Sequence, residues 1–311
     1  MKANWPHHPI GGNWASLLLP IEADDSIEFQ KLGEEIDILV GAAVDGIYSN
    51  GTAGEFHNQT EEEFDRIQLM LAERCKASGT PFVIGACQPD PSIMLNRVRR
   101  AAVLDPAAIQ LILPDWWPLT DAEAIDFLNS AGDIAGGIPL ILYNPPHAKR
   151  VLTPKELGFI CSSAPGVTGV KLADGDKEWY AEAREHLHNL LLFVPGHHLA
   201  TGIKEGVAAG SFSNVACLSP GGAQAWTALM QEDIDAALEI EGRICGFMDE
   251  HIAPFRQNIG YSNAALDKLL CAIGNWGPVG SRLRSPYRWI DESEANRLRV
   301  IARRELGELF L

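Results

Sequence analysis

Residues 14–19 form a run that is apolar except at Ser16 and stops at Pro20, the pattern of a strand covered on both faces. Asp25-Ser26 can cap a following helix, in which Ile27, Leu32, Ile36, Leu39 and Val40 recur at helical spacing. Residues 45–49 read as a second strand that runs into a glycine loop, 51–55. Thr60-Glu61-Glu62-Glu63 has the capping-box form, and Gly79-Thr80-Pro81 ends that helix before a strand at 82–87. The alternation then repeats: helix 91–104, strand 108–113, helix 120–135, strand 138–143, helix 153–163, strand 167–172, helix 176–188, strand 190–194, helix 197–209 and strand 211–216. Continuously apolar strands between amphipathic helices pair in parallel, and eight such units predict an α/β fold, a closed (β/α)8 TIM barrel. Beyond them 222–250, 262–274 and 291–310 read as helices, the first serving as the eighth barrel helix. The expected organisation is a barrel over 1–235 with a C-terminal helical extension over 236–311.

In such a barrel the C-terminal strand ends share one face, and chemistry gathers there. Lys171 ends a Val-Thr-Gly-Val run after a Pro-Gly turn. In partly apolar surroundings an ammonium loses its charge more easily, and the free amine can attack a carbonyl to form an imine. The other reading is a lysine snorkelling from a strand end. Tyr143, followed by Asn144-Pro145-Pro146, puts a phenol at a strand end, able to shuttle protons or to bond a rim neighbour. Asn50-Gly51-Thr52-Ala53-Gly54-Glu55 can crowd amides around a carboxylate, or be an ordinary tight turn.

Composition narrows the classes. Lys plus Arg total 25 against 41 Asp plus Glu, a formal net charge of −16 that disfavours nucleic acid and anionic membrane as partners. No apolar run reaches bilayer length, and Met1 to Pro9 carries no apolar core of a secretory signal, so a cytoplasmic location is expected. The six cysteines are scattered, with no C-x-x-C pair, which argues for reduced thiols and against a zinc site. Phosphate-loop and dinucleotide fingerprints are absent. Glu61-Glu62-Glu63 suits a helix N-terminus, and Arg97, Arg99 and Arg100 read as a solvated helix face.

Taken together, Gly51-Thr52-Ala53-Gly54-Glu55, Tyr143-Asn144-x-Pro146, Val170-Lys171, Pro195-Gly196-His197-His198, Gly210 to Asn214 and Asn263 to Leu266 resemble, in order, segments of the dihydrodipicolinate synthase and N-acetylneuraminate lyase family of class I, pyruvate-handling aldolases. The resemblance implies the same barrel with C-terminal helices, assembled as a homotetramer or homodimer. It implies that Lys171 forms an imine with a 2-oxo acid, that Tyr143 relays protons to and from it with Thr52 as a further catalytic residue, and that the Thr52-Ala53 amides hold the carboxylate, with Gly51 also binding substrate. Gly196, Phe212 and Ser213 shape the remaining pocket, and neither a metal nor an organic cofactor is required.

Three departures fall where such enzymes distinguish their second substrate. Ala53 replaces a second threonine, Trp116 stands where a neighbouring subunit usually contributes a tyrosine, and Ala148 occupies a position where lysine-pathway enzymes carry an arginine. His198 aligns with an acidic sugar-binding residue of the sialic acid lyases; the histidines either contact substrate or sit at a helix start. The expected activity is a lyase acting on a 2-oxo-3-deoxy sugar acid, by aldol cleavage or dehydration. The alternatives are condensation of pyruvate with aspartate semialdehyde, for which Lys149 or Arg150 would supply the cation, and a catalytically silent metabolite-binding barrel.

Overall fold

A computed structural model describes residues 10–310; the amino-terminal segment read for targeting lies outside them. Eight parallel strands close in sequence order: β1 Gly12–Ser16, β2 Gly46–Ser49, β3 Phe82–Gly85, β4 Ala108–Ile112, β5 Leu140–Tyr143, β6 Val167–Lys171, β7 Leu191–Pro195 and β8 Ala208–Ser213. Around them run α1 Phe29–Gly41, α2 Glu61–Ser78, α3 Pro91–Val103, α4 Asp121–Ala135, α5 Pro154–Ser162, α6 Lys177–His186, α7 Leu199–Lys204 and α8 Asn214–Leu218. The chain continues with α9 Pro220–Glu232, α10 Ile234–Phe247, α11 Ala253–Ile259, α12 Asn263–Gly274 and α13 Glu292–Glu305. The expected (β/α)8 barrel with C-terminal helices is what the chain forms. Among the described residues no helix is long and apolar enough to cross a membrane.

Local chemistry starts three of these helices in the same way. Thr60, Thr120 and Thr153 each accept a hydrogen bond from the backbone three residues on, where Glu63, Glu123 and Glu156 reach back. These capping boxes satisfy orphan amides just after the loops that carry functional side chains. The main core lies between strands and helices. A second cluster fills the barrel interior, with Trp14, Tyr48, Val83, Ala108, Ile141, Phe193 and Phe212 from seven strands and Ile10 below. The Trp14 indole donates to the Ile10 carbonyl at 3.0 Å and closes that floor.

Four expectations shift. β1 starts at Gly12, and residues 17–19 form a buried irregular segment whose Leu18 amide donates to Glu35 at 2.8 Å. β8 starts three residues earlier than expected because Ser213 caps α8 and turns the apolar run after it into helix, while Gly206 in the left-handed region (φ 72°) follows α7. The single helix expected over 222–250 is broken at Asp233, whose side chain caps α10. Arg97 is not solvated: it is fully buried, donating to Glu61 and to the carbonyls of Phe56 and Cys87, and only part of the arginine row faces water. Charge pairing lets a guanidinium sit inside, which periodicity alone does not reveal.

Candidate active site

Lys171 lies at the C-terminal end of β6, in register with Tyr143 on β5 and Phe193 on β7. Side chains alternate across a strand, so Lys171 shares the interior face with Gly169, whose missing side chain leaves room for the Phe193 ring. The Lys171 amine is 4.4 Å from the centre of the Tyr143 ring, 4.8 Å from that of Tyr48 and 5.1 Å from that of Phe212. It donates to the Tyr48 hydroxyl at 3.2 Å, and no ion pair holds it among the described residues. Burial pushes its pKa down to about 8, against the field of Asp267 and, more weakly, Cys87 and Cys217.

The phenols are driven the other way. Burial raises Tyr143 to about 12, opposed by the nearby Thr52 hydroxyl, which forms no hydrogen bond of normal geometry. Tyr48 lies well above the ordinary phenol range, again through burial and against a contact with Ser16. Tyr48 is a site residue that the sequence reading treated only as part of a strand. Its signal was parity, since Gly46 and Tyr48 share the inward face of β2.

Tyr48 also explains Gly51. A Cβ at Gly51 would stand 2.5 Å from the Tyr48 hydroxyl and ring, so the loop can fold over the phenol only with glycine there. Ala53 is buried in the same loop, and Glu55 adopts the left-handed conformation (φ 50°). Its carboxylate accepts from Lys268 at 2.7 Å and from the Arg284 amide at 3.1 Å, tying the loop to α12 and to the chain beyond. Asn144 braces the next loop, accepting from the Leu152 amide at 2.7 Å and donating to the Arg150 carbonyl at 3.1 Å.

At the rim, His198 Nδ1 meets both oxygens of Asp174 at 2.8 Å, and Tyr180 donates to Asp174 at 2.9 Å. The Asp174 contact, helped by Cys245, raises His198 to about 10 and makes it an imidazolium at neutral pH. His197 is the opposite case: burial pushes it down to about 4, and it bonds to Asn214. Asp174 was missed because it sits in an irregular loop, three residues past the lysine. In an Asp174→Asn variant we expect His198 to titrate within about a unit of 6.5, the ordinary value. A proton NMR titration of the ring would read this, and a midpoint still near 10 would remove Asp174 as the cause.

The other expected residues divide. Phe212 packs edge-on against Tyr48, with ring centres 4.5 Å apart, and belongs to the lysine cluster. Ser213 accepts from the Ala216 amide as the cap of α8. Gly196 lets the backbone pass Ser213 and Asn214, since a Cβ would come within 2.7 Å of each side-chain oxygen. Trp116 stands out in solvent, 87% exposed, with the Lys149 ammonium 4.8 Å from its ring and donating to its carbonyl at 2.7 Å. It does not join the lysine cluster of its own chain. Asp267 on α12, which the sequence reading did not single out, has its carboxyl raised to about 7 by burial, against the field of Lys171.

The chain is also similar to known proteins. The N-acetylneuraminate lyase of Salmonella typhimurium is 25% identical over 186 residues, which cover 59% of this chain and 62% of that enzyme. The aligned part thus spans under two thirds of the relative's length. In fold, the chain resembles a putative dihydrodipicolinate synthetase from Pseudomonas aeruginosa, with TM-score 0.81, 20% identity and coverage of 96% of this chain and 99% of that one. It also resembles YagE, a prophage protein of the dihydrodipicolinic acid synthase family from E. coli K12 in complex with pyruvate, with TM-score 0.79, 20% identity and coverage of 95% and 98%. Residues 10–305 match the profile of the Dihydrodipicolinate synthetase family, and the chain, with its barrel and its lysine at the end of the sixth strand, belongs to that family.

Proposed function

We propose that the protein is a lyase that works through an imine on Lys171 and acts on a 2-oxo-3-deoxy sugar acid, by aldol cleavage or dehydration. The state of Lys171 carries the reading. With a pKa of about 8, about a tenth of the amine is free at pH 7, against roughly three parts in ten thousand for an ordinary lysine. A free amine beside a phenol, under a loop of amides, suits capture of a 2-oxo acid: nitrogen attacks C2, water leaves, and the protonated imine then accepts electrons from C3. The amides of Gly51 to Ala53 hold the carboxylate, and Tyr143 with Thr52 carries protons at the imine.

The polar end of the substrate meets Asp174 and His198, a pair suited to hydroxyl groups rather than to a second carboxylate. Condensation with aspartate semialdehyde calls for a free cation at the mouth. Lys149 is engaged by the Trp116 carbonyl, and Arg150 by Asp121, Glu156 and the Leu119 carbonyl, which weighs against that acceptor. The exposed Trp116 and Trp117 offer an aromatic face for a second copy of the chain, consistent with a cytoplasmic homodimer or homotetramer.

Pyruvate is the natural first probe, since a solved neighbour of the same fold holds it. The protein incubated with pyruvate and reduced with borohydride is expected to gain one reduced adduct per chain, on the peptide containing Lys171, as read by intact and peptide mass. Absence of an adduct with pyruvate and with longer 2-oxo acids would overturn the imine and favour a binding protein without chemistry.

A further inference from the structure

Among the described residues the Lys171 amine makes a single hydrogen bond, donated to the Tyr48 hydroxyl at 3.2 Å. That phenol is confined on three sides. Its ring packs edge-on against Phe212, with centres 4.5 Å apart, and the residue is buried. Ser16, its register partner on β1, lies beside it on the interior face. Against the hydroxyl rests the start of the next loop, where a Cβ on Gly51 would stand 2.5 Å from the phenol oxygen. Tyr48 therefore touches at one atom the two parts of the site that a 2-oxo acid must meet together, the amine and the loop of amides.

The chemistry of an imine shows what such a contact can do. A neutral amine carries two N–H bonds and one lone pair. With one N–H committed to Tyr48, the lone pair is turned away from that phenol and is left for a carbonyl carbon. Attack forms the N–C2 bond, water leaves with the carbonyl oxygen, and the protonated imine keeps a single N–H. That bond lies in the plane of the C=N group, so whatever accepts it fixes how the plane is turned. Burial keeps the Tyr48 phenol protonated, and its oxygen still has lone pairs with which to accept.

We propose that Tyr48 is a positioning residue for the imine: its hydroxyl accepts the N–H of the protonated imine on Lys171 and, from beside Gly51, sets the substrate carboxylate on the same side of the C=N bond as that N–H. The inference rests on the imine reading above. C3 then lies on the opposite side, next to the lysine's own methylene, and the plane cannot turn over without breaking both contacts. Tyr48 moves no proton in this role, which leaves that task with Tyr143 and Thr52. A plane held at two points presents its faces unequally to an incoming reagent.

Reduction of the imine reads this directly. Borohydride delivers hydride to C2, the C=N electrons return to nitrogen, and C2 becomes a stereocentre, so the two diastereomers of the carboxyethyl-lysine adduct report which face was attacked. The test uses the full-length protein with pyruvate at pH 9, where an amine of pKa about 8 is mostly free, with timed addition of borohydride, hydrolysis and chiral chromatography. Wild type should give one diastereomer in about tenfold excess or more, a selectivity that one hydrogen bond can supply. Tyr48→Phe keeps the ring against Phe212 and removes only the oxygen. It should reach the same final adduct about tenfold more slowly, with the two diastereomers near equal. Tyr143→Phe should slow the reaction and keep the wild-type ratio.

An even mixture from the wild type would overturn the proposal without any variant having to fold. So would a wild-type ratio in Tyr48→Phe, whether or not its rate falls, and so would scrambling by Tyr143→Phe to the same degree. Permanent loss of the adduct in Tyr48→Phe would overturn it too, by giving the residue a role in shaping the pocket. Failure of the wild type to form any adduct would instead strike the imine reading on which the proposal stands.

Discussion

Lys171→Met is expected to lose the trapped adduct completely and to lower kcat/KM for any 2-oxo acid substrate by about 10⁴-fold or more, roughly 5 kcal/mol of barrier. The size follows from the role proposed for Lys171. A covalent nucleophile has no partial substitute, whereas a binding contact loses only its own share. Methionine keeps the length and apolar stem and adds no buried charge, so the barrel should fold and the loss is chemical. The wild type carries a matching signature. Burial lowers the folded amine to about 8, so its reactive form grows as pH rises toward 8 and saturates above it. The rate of adduct formation at low pyruvate should therefore climb from pH 6 to about 8 and then flatten. A rate that stays flat from pH 6 to 9 would contradict a buried, deprotonating lysine.

Lys268→Met should be among the most destabilising single substitutions in the chain, at about 3–5 kcal/mol, read from the urea midpoint. Lys268 and Glu55 are 0% and 2% exposed, and they meet at 2.7 Å. Burial disfavours the Lys268 ammonium, and the Glu55 carboxylate holds it charged. Removing the lysine leaves a carboxylate inside the protein with the Arg284 amide as a remaining donor. The double variant Lys268→Met, Glu55→Gln removes the uncompensated charge and is expected to recover more than half of the loss. If the double variant is as unstable as the single, the cost lies in packing around α12 and not in the charge.

The barrel was legible because its signal is spread over the whole chain. Eight apolar runs alternating with capped amphipathic helices leave little else to build, and local errors at β1 and β8 do not change the count. Lys171, Tyr143 and the 51–55 loop were legible for a related reason, since each ends a strand or follows one directly. What stayed hidden came from groups that influence one another only through space. Asp267 is nearly a hundred residues from Lys171 in a helix assigned to an appendage, and nothing in the local pattern of α12 marks it. Arg97 was misread because an arginine on an amphipathic helix looks solvated until its partner, Glu61, arrives from another helix. Ser213 and Gly196 were read for a pocket, yet what they visibly do is cap α8 and let two backbones pass.

The filled lower half of the barrel fixes the order of traffic. Among the described residues Ile10, Trp14, Phe193 and Phe212 pack the barrel interior, so a molecule that reaches the Lys171 amine is expected to come and go at the C-terminal face of the strands, where Asp174 and His198 also lie. In a cleavage reaction the fragment bonded to nitrogen sits innermost, behind the other product. The newly freed aldehyde must depart first, and the 2-oxo acid follows it out once water has released it.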